Sequence, residues 1–517
     1  MGKIIEQRIN DFSGGMISNP RFPDFRYSQL LKNFDINLYP KRLYPVRDTE
    51  SGDSAASTSK KQNFCLALRT GATYSIYALG VVSGDDRAEI LYKDLTTTGN
   101  DLSDDGWVAP SATASEYQQP DATGATNFNL FVYYKKTGLI YGARNGSHIW
   151  TFTPATPAFD NTTNALTHTD IGQGLIHSKD DILYIPYDDG TNWKITKKDG
   201  TGAFTLALTL PAHYKITSLC EYGNYIAIAC APRSGIGNSR VYIWDRDSSL
   251  TTLTESIDWG EGNLTILEEI EGNLIGVSYV GNIVAASPVN FKGKIVLKQY
   301  SGGVATVFNQ LIVDSNVVMD IFHKQKINQY LYFPLSVTLN GAVLRGIWRI
   351  GRNMSNEPFA LSLYQFASND SITTPLKGFF IVGDYVFVSY TDNAGTTYSL
   401  SKTNNSASYT ATSIYESLII NGGDSRLKKD LLGITVTTDY LPAAGQVVLK
   451  YQTDANVGST TWTTIFTNTT DDSISHSAVT GLPKDFKEIV FRIESTGGAV
   501  ITGLEFKLEI TGKDNYD

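Results

Sequence analysis

The sequence predicts an all-β protein: a β-propeller of about six to seven blades, with an extended N-terminal arm before it and a C-terminal antiparallel β-sandwich after it. Three observations lead there. The 517 residues include 45 Gly, 29 Tyr and 23 Phe but only 4 Met, a composition in which aromatic side chains suit a pleated surface and Gly supplies turns. Between about 60 and 410 a loose unit recurs, made of a short apolar strand, a polar turn and a second strand rich in aromatic residues. Beyond residue 412 that unit stops and longer, cleanly alternating strands take over.

Residues 1–50 read as an arm. Pro20, Pro23, Pro40 and Pro45 forbid a long helix and favour extended segments, so Tyr27 to Asp35 makes one short helix at most. Phe12, Phe22, Phe25, Leu30, Leu31 and Phe34 are too apolar to leave in water and must dock on the parent body or on a neighbouring subunit.

Residues 51–411 form the propeller body. Tyr74 to Leu79 precedes Ile90 to Tyr92, Ile182 to Ile185 precedes Trp193 to Ile195, and Tyr225 to Ala229 precedes Val241 to Trp244. Further copies are Tyr330 to Phe333 before Gly346 to Ile350, and Tyr385 to Val388 before Tyr398 to Leu400. Gly223-Asn224, Gly272-Asn273 and Gly383-Asp384 open several strands and supply the positive φ of a tight hairpin. Such units bury their faces on one another, so none is stable alone. A stack of separate β-sandwich domains is the competing reading. Residues 412–517 suit one sandwich, with Leu504, Phe506, Leu508 and Ile510 facing its core.

The chemistry-bearing motifs are few. There is no Gly-x-Ser-x-Gly elbow and no P-loop, and the six histidines show no zinc-ligand spacing. No catalytic, cofactor-binding or metal-ligating residue is expected, and the chain reads as non-enzymatic. Asp188-Asp189-Gly190-Thr191-Asn192-Trp193 fits part of an Asp-box, a hairpin turn of sialidase-like propellers in which Asp caps backbone N–H groups. The pairs Asp85-Asp86, Asp104-Asp105, Asp180-Asp181 and Asp188-Asp189 sit among turn residues; a hidden pair for glycoside hydrolysis is the minority reading. Lys428-Lys429 reads as a solvated start to a strand, with an inter-subunit or nucleic-acid contact as the other possibility. Net charge is −9, from 43 basic and 52 acidic residues, which argues against wrapping nucleic acid but allows passive passage of DNA. Cys65, Cys220 and Cys230 read as reduced thiols, with a Cys220–Cys230 disulfide less favoured. No apolar run is long enough for a signal peptide or a membrane span, so folding in a cytoplasm and no membrane insertion are expected.

Arg8-Ile9-Asn10-Asp11-Phe12-Ser13-Gly14-Gly15-Met16, leading into Leu30-Leu31-Lys32-Asn33-Phe34-Asp35, resembles the opening of tailed-phage tail-nozzle, tail-hub and DNA-stabilisation proteins, which carry a β-propeller. The resemblance covers about 50 residues. It implies a virion protein of the tail or neck, assembled in the host cytoplasm as a homo-oligomeric ring, often a hexamer, around the DNA exit channel. It further implies adaptor, portal-complex or tail-fibre partners, with Phe12, Gly14, Gly15 and Met16 as assembly contacts. Removing residues 1–30 is then expected to block assembly and spare the β-structure. The alternative is a carbohydrate-binding or carbohydrate-degrading propeller, tail-associated or secreted; a host scaffold propeller is a third reading.

Overall fold

The computed structural model describes residues 3–513 apart from 38, 40, 54–60, 71–72, 82–86, 96–100, 105, 119–125, 145, 161–164, 248–252, 281–292, 315–322, 353, 356, 368–375, 392–397, 405, 407 and 410. Pro40, Asp85, Asp86 and Asp105 therefore lie outside the described residues.

Among the described residues, seven small antiparallel blades follow one another along the chain. Blade 1 holds Asn63–Thr70, Thr73–Val81 and Ala88–Asp94; blade 2 is built on Thr126–Tyr134, Leu139–Arg144 and Gly146–Phe152. Blade 3 centres on Ile182–Asp188 and Trp193–Lys198. Blade 4 runs Tyr214–Tyr222, Tyr225–Pro232, Asn238–Trp244 and Glu255–Glu261, and blade 5 runs Asn263–Ile270, Asn273–Val280, Lys294–Ser301 and Val304–Ile312. Blade 6 comprises Gln325–Ile327, Tyr330–Leu339, Ala342–Gly351 and Ala360–Phe366. Blade 7 has Leu376–Val382, Tyr385–Thr391 and Tyr398–Thr403, and takes its outer strand, Thr49–Ser51, from the N-terminal segment. The leading strands neighbour one another in turn, and that of blade 7 packs on that of blade 1, which closes the ring. This is a β-propeller, fastened by a strand from the other end of its own chain.

Hydrophobic burial holds the ring together between blades rather than within them. Separate cores lie between blades 1 and 2, 2 and 3, 3 and 4, 4 and 5, 6 and 7, and 7 and 1. Trp150, Trp244, Trp259 and Trp348 are fully buried in this way, which explains the aromatic strand ends of the repeat. Polar side chains staple the leading strands. Thr217 Oγ1 donates to the Leu264 carbonyl at 2.6 Å, and the Gln325 amide makes two 2.9 Å bonds with the backbone of Ile381. Hairpins turn at Gly223, Gly272 and Gly383, with φ of 60°, 80° and 54°, as the Gly-Asn and Gly-Asp pairs predict.

The largest core joins blades 5 and 6 to the arm and the C-terminal sandwich. One sandwich sheet contains Ser413–Ser417, Ile489–Thr496, Gln446–Thr453 and Thr463–Asn468. The other contains Leu427–Thr438, Ile501–Lys513, Ser475–Ala478 and, at its edge, the arm strand Ile4–Ile9. Leu504, Phe506 and Leu508 point inward, as their alternation predicts. Tyr27–Lys32 is a strand, which corrects the expectation of a short helix. It lies between Gly15–Met16 and Ser413–Ser417, and in that position its backbone groups are satisfied only by a sheet. Through it a ten-stranded sheet runs unbroken from blade 6 into the sandwich, across the borders at 50 and 411 that the sequence suggests.

Candidate functional site

The structure places Phe12, Gly14, Gly15 and Met16 inside their own chain. Phe12 is 1 % exposed and meets the Tyr415 ring edge-on at 5.4 Å; Met16 is 0 % exposed. The Met16 carbonyl accepts from Asn309 Nδ2 at 2.8 Å, on the outer strand of blade 5, while Gly15 pairs with Leu361 on the outer strand of blade 6. Backbone approach explains both glycines. A Cβ on Gly15, whose φ is +73°, would stand 2.7 Å from the Leu361 carbonyl oxygen, and one on Gly14 would meet the Tyr27 ring at 2.7 Å. The motif is thus a wedge between two blades. Side chains without exposed surface offer nothing to a neighbouring subunit, so in this fold these four residues make internal contacts.

At the propeller axis, Gly172–Leu175 and Pro186 of blade 3, the leading strands of blades 4 and 5 and the stretch entering blade 6 enclose a cavity of about 120 Å³. Glu268, Lys324 and Lys326 supply its charge. Lys324 Nζ lies 2.8 Å from Glu268 Oε2 and donates to the carbonyls of Leu219, at 2.7 Å, and Leu267. Lys326 pairs with Glu269 at 2.7 Å. Glu268 is the carboxylate lining this cavity, held by a lysine, and paired-acid hydrolysis would need a second one facing it.

The remaining motifs resolve locally. Asp189 Oδ1 accepts from the N–H groups of Thr191 and Asn192 at 2.9 and 2.8 Å, which with Lys194 pulls its pKa down to about 2, and Trp193 is buried. The Asp-box-like stretch is therefore a hairpin turn that the acid caps. Asp180 joins Arg246 and accepts from the Tyr184 hydroxyl at 3.1 Å, tying blade 3 to blade 4. Lys429 is buried, not solvated: its Nζ donates to the carbonyls of Asp424, Leu427 and Lys487 at 2.6–2.9 Å. Lys428 pairs with Asp485 at 3.0 Å. All three cysteines are free and buried, and burial pushes the Cys65, Cys220 and Cys230 thiols up in pKa. No helix among the described residues is long and apolar enough to cross a membrane.

The open surface that the sequence does not single out lies on the sandwich. A groove of about 530 Å³ crosses the outer face of the sheet that carries Ile4–Ile9. Across it run two ion pairs, Arg8–Glu505 at 2.9 Å and Glu6–Lys507 at 2.7 Å. Beside them stand Leu432 and Val479, the latter 75 % exposed; Tyr440, 74 % exposed, and Ile474 line an adjoining hollow that shares Arg8. A register shift between Leu431 and Gly433 turns Leu431 inward and Leu432 outward, and this break in alternation is the signal a sequence reading had to find.

No protein-family model matches the chain, and no curated protein matches it in sequence. Several solved structures are similar to it over much of their length. The exo-β-1,3-galactanase of Phanerochaete chrysosporium is similar over 90% of this chain and 100% of its own, at 9% identity and a TM-score of 0.30. A family 43 arabinoxylan arabinofuranohydrolase from Bacillus subtilis is similar over 89% and 98%, at 12% identity and a TM-score of 0.28. The CNH domain of AfRom2 is similar over 69% and 99%, at 8% identity and a TM-score of 0.41. The likeness is one of fold. Beside glycoside hydrolases of this kind, the expectation of a non-enzymatic chain does not stand. It rested on missing linear signatures, and a propeller can gather reacting groups from separate blades without any.

Proposed function

We propose that this chain is a structural subunit of a tailed-phage tail or neck, one of a ring of copies around the DNA exit channel. The Arg8–Met16 segment suggests the family. The observation that carries the reading is the sandwich face, where Leu432, Ile474, Val479 and Tyr440 stand in water beside a ladder of ion pairs. Clustered apolar side chains of this kind mark a surface that another protein covers. The arm locks sandwich to propeller, so that face is presented on a stiff block. Sedimentation of the purified chain, alone and with portal and adaptor rings, is the test. Co-sedimentation that Val479→Asp weakens is expected; a strict monomer that binds no virion protein under any condition contradicts the reading.

A second reading, a carbohydrate-degrading propeller, takes Glu268 of the axial cavity as one acid of the pair that hydrolysis needs. Its test is release of reducing sugar from a bacterial surface polysaccharide, lost in Glu268→Gln; no release, or release unchanged in the variant, counts against it.

A further inference from the structure

We propose that a tyrosine-walled cleft between blades 6 and 7, roofed by the arm, binds a neutral saccharide. The cleft has a volume of about 260 Å³, just below the usual range for small-molecule sites. Its walls are Tyr39 and Tyr44, from the arm hairpin that pairs Phe34–Asp35 with Tyr44–Pro45, together with Tyr364 of blade 6 and Tyr409. Asp384, on the Gly383 turn of blade 7, forms the rim and Asp35 lines the interior.

The rings are held ready. Tyr39 and Tyr44 lie with centroids 5.9 Å apart, and the Tyr44 hydroxyl hydrogen-bonds Tyr409. Behind Asp35, the buried Arg349 guanidinium pairs with its carboxylate and sits 4.6 Å from the Tyr364 ring centroid and 5.1 Å from that of Tyr330. An arginine already occupies the aromatic cage, so the cage is not open to a ligand cation.

Charge selects the ligand class. Arg349 balances Asp35, and Arg47 lines the same cleft as Asp384, so neither a cation nor an anion is favoured overall. What remains is exposed aromatic surface, hydroxyl donors and carboxylate acceptors. A sugar ring offers the complement: an apolar C–H face to lie on Tyr39, which is 49 % exposed, and hydroxyls to donate to Asp384. Such a site would serve a virion part or a carbohydrate-active propeller alike, and it depends on neither reading.

Saturation-transfer NMR on the full chain with maltotriose, cellotriose and chitotriose, and with choline as the cationic control, is the experiment. At least one trisaccharide should give transfer, with affinity reduced about tenfold or more in Tyr39→Ala and in Asp384→Ala. Both side chains are exposed, so the variants should keep the parent melting temperature; Tyr225→Ala, at an exposed tyrosine on blade 4, should bind as the parent does. The proposal is overturned if none of the three sugars binds, if binding survives both cleft substitutions, or if choline binds in their place.

Discussion

Gly15 shows how much one residue can carry. Its φ of +73° is costly for any L side chain, and a Cβ would run into the backbone of Leu361 in blade 6. Gly15→Ala should therefore destabilise the fold by about 2 kcal/mol or more, because strain and overpacking add. A urea titration checks this; an unchanged midpoint would mean that the wedge is not seated between the blades. Glu416 makes a second prediction. It is buried at the junction of sandwich and blade 6, with Arg492 at 3.4 Å as a distant partner, and burial pushes its pKa up to about 7. The folded state then holds a proton that the unfolded chain releases near the ordinary carboxylate value. Stability should fall as pH rises from about 4.5 to 7, by an amount on the order of a few kcal/mol. Glu416→Gln should flatten that slope, and equal slopes in parent and variant would exclude the group as its source.

At the scale of elements, the blades were legible because they are local. Each hairpin pairs with its neighbour in sequence, so Tyr225 to Ala229 and Val241 to Trp244 could be matched across a short turn. The arm was not legible, because its partners lie hundreds of residues away: Ile9 opposite Leu504, Gly15 beside Leu361, Thr49 opposite Thr403. Apolarity showed that Phe12 and Leu30 needed a partner; nothing local told the parent body from a neighbouring subunit. The tyrosine cleft was hidden for the same reason, since Tyr39, Tyr364 and Asp384 converge only after folding. This placement changes what truncation should do. Removing residues 1–30 deletes Phe12, Met16 and most of the strand that links blade 6 to the sandwich, so the soluble β-rich circular dichroism signal should be lost, not spared. A deletion of residues 1–9 should leave a folded chain with a lower melting temperature, because it uncovers the edge of Ile501–Lys513 and takes Ile9 from the margin of the core.

Across the whole molecule, the core that unites blades 5 and 6, the arm and the sandwich argues for one cooperative body. Calorimetry should show a single unfolding transition in which sandwich and propeller melt together; two separated transitions would mean that the arm couples them weakly. Such a block, stapled at its axis by Lys324 and fastened by Thr49–Ser51, presents the sandwich groove and the tyrosine cleft without flexing between them. Hydrogen exchange read by mass spectrometry tests most directly whether the N-terminal segment is part of the fold. Amides of Ile4–Ile9, Gly15–Met16 and Tyr27–Lys32 should be protected to the same degree as those of the blade strands. Rapid exchange through residues 4–32 beside protected blades would show a loose arm awaiting a partner, and would contradict the account.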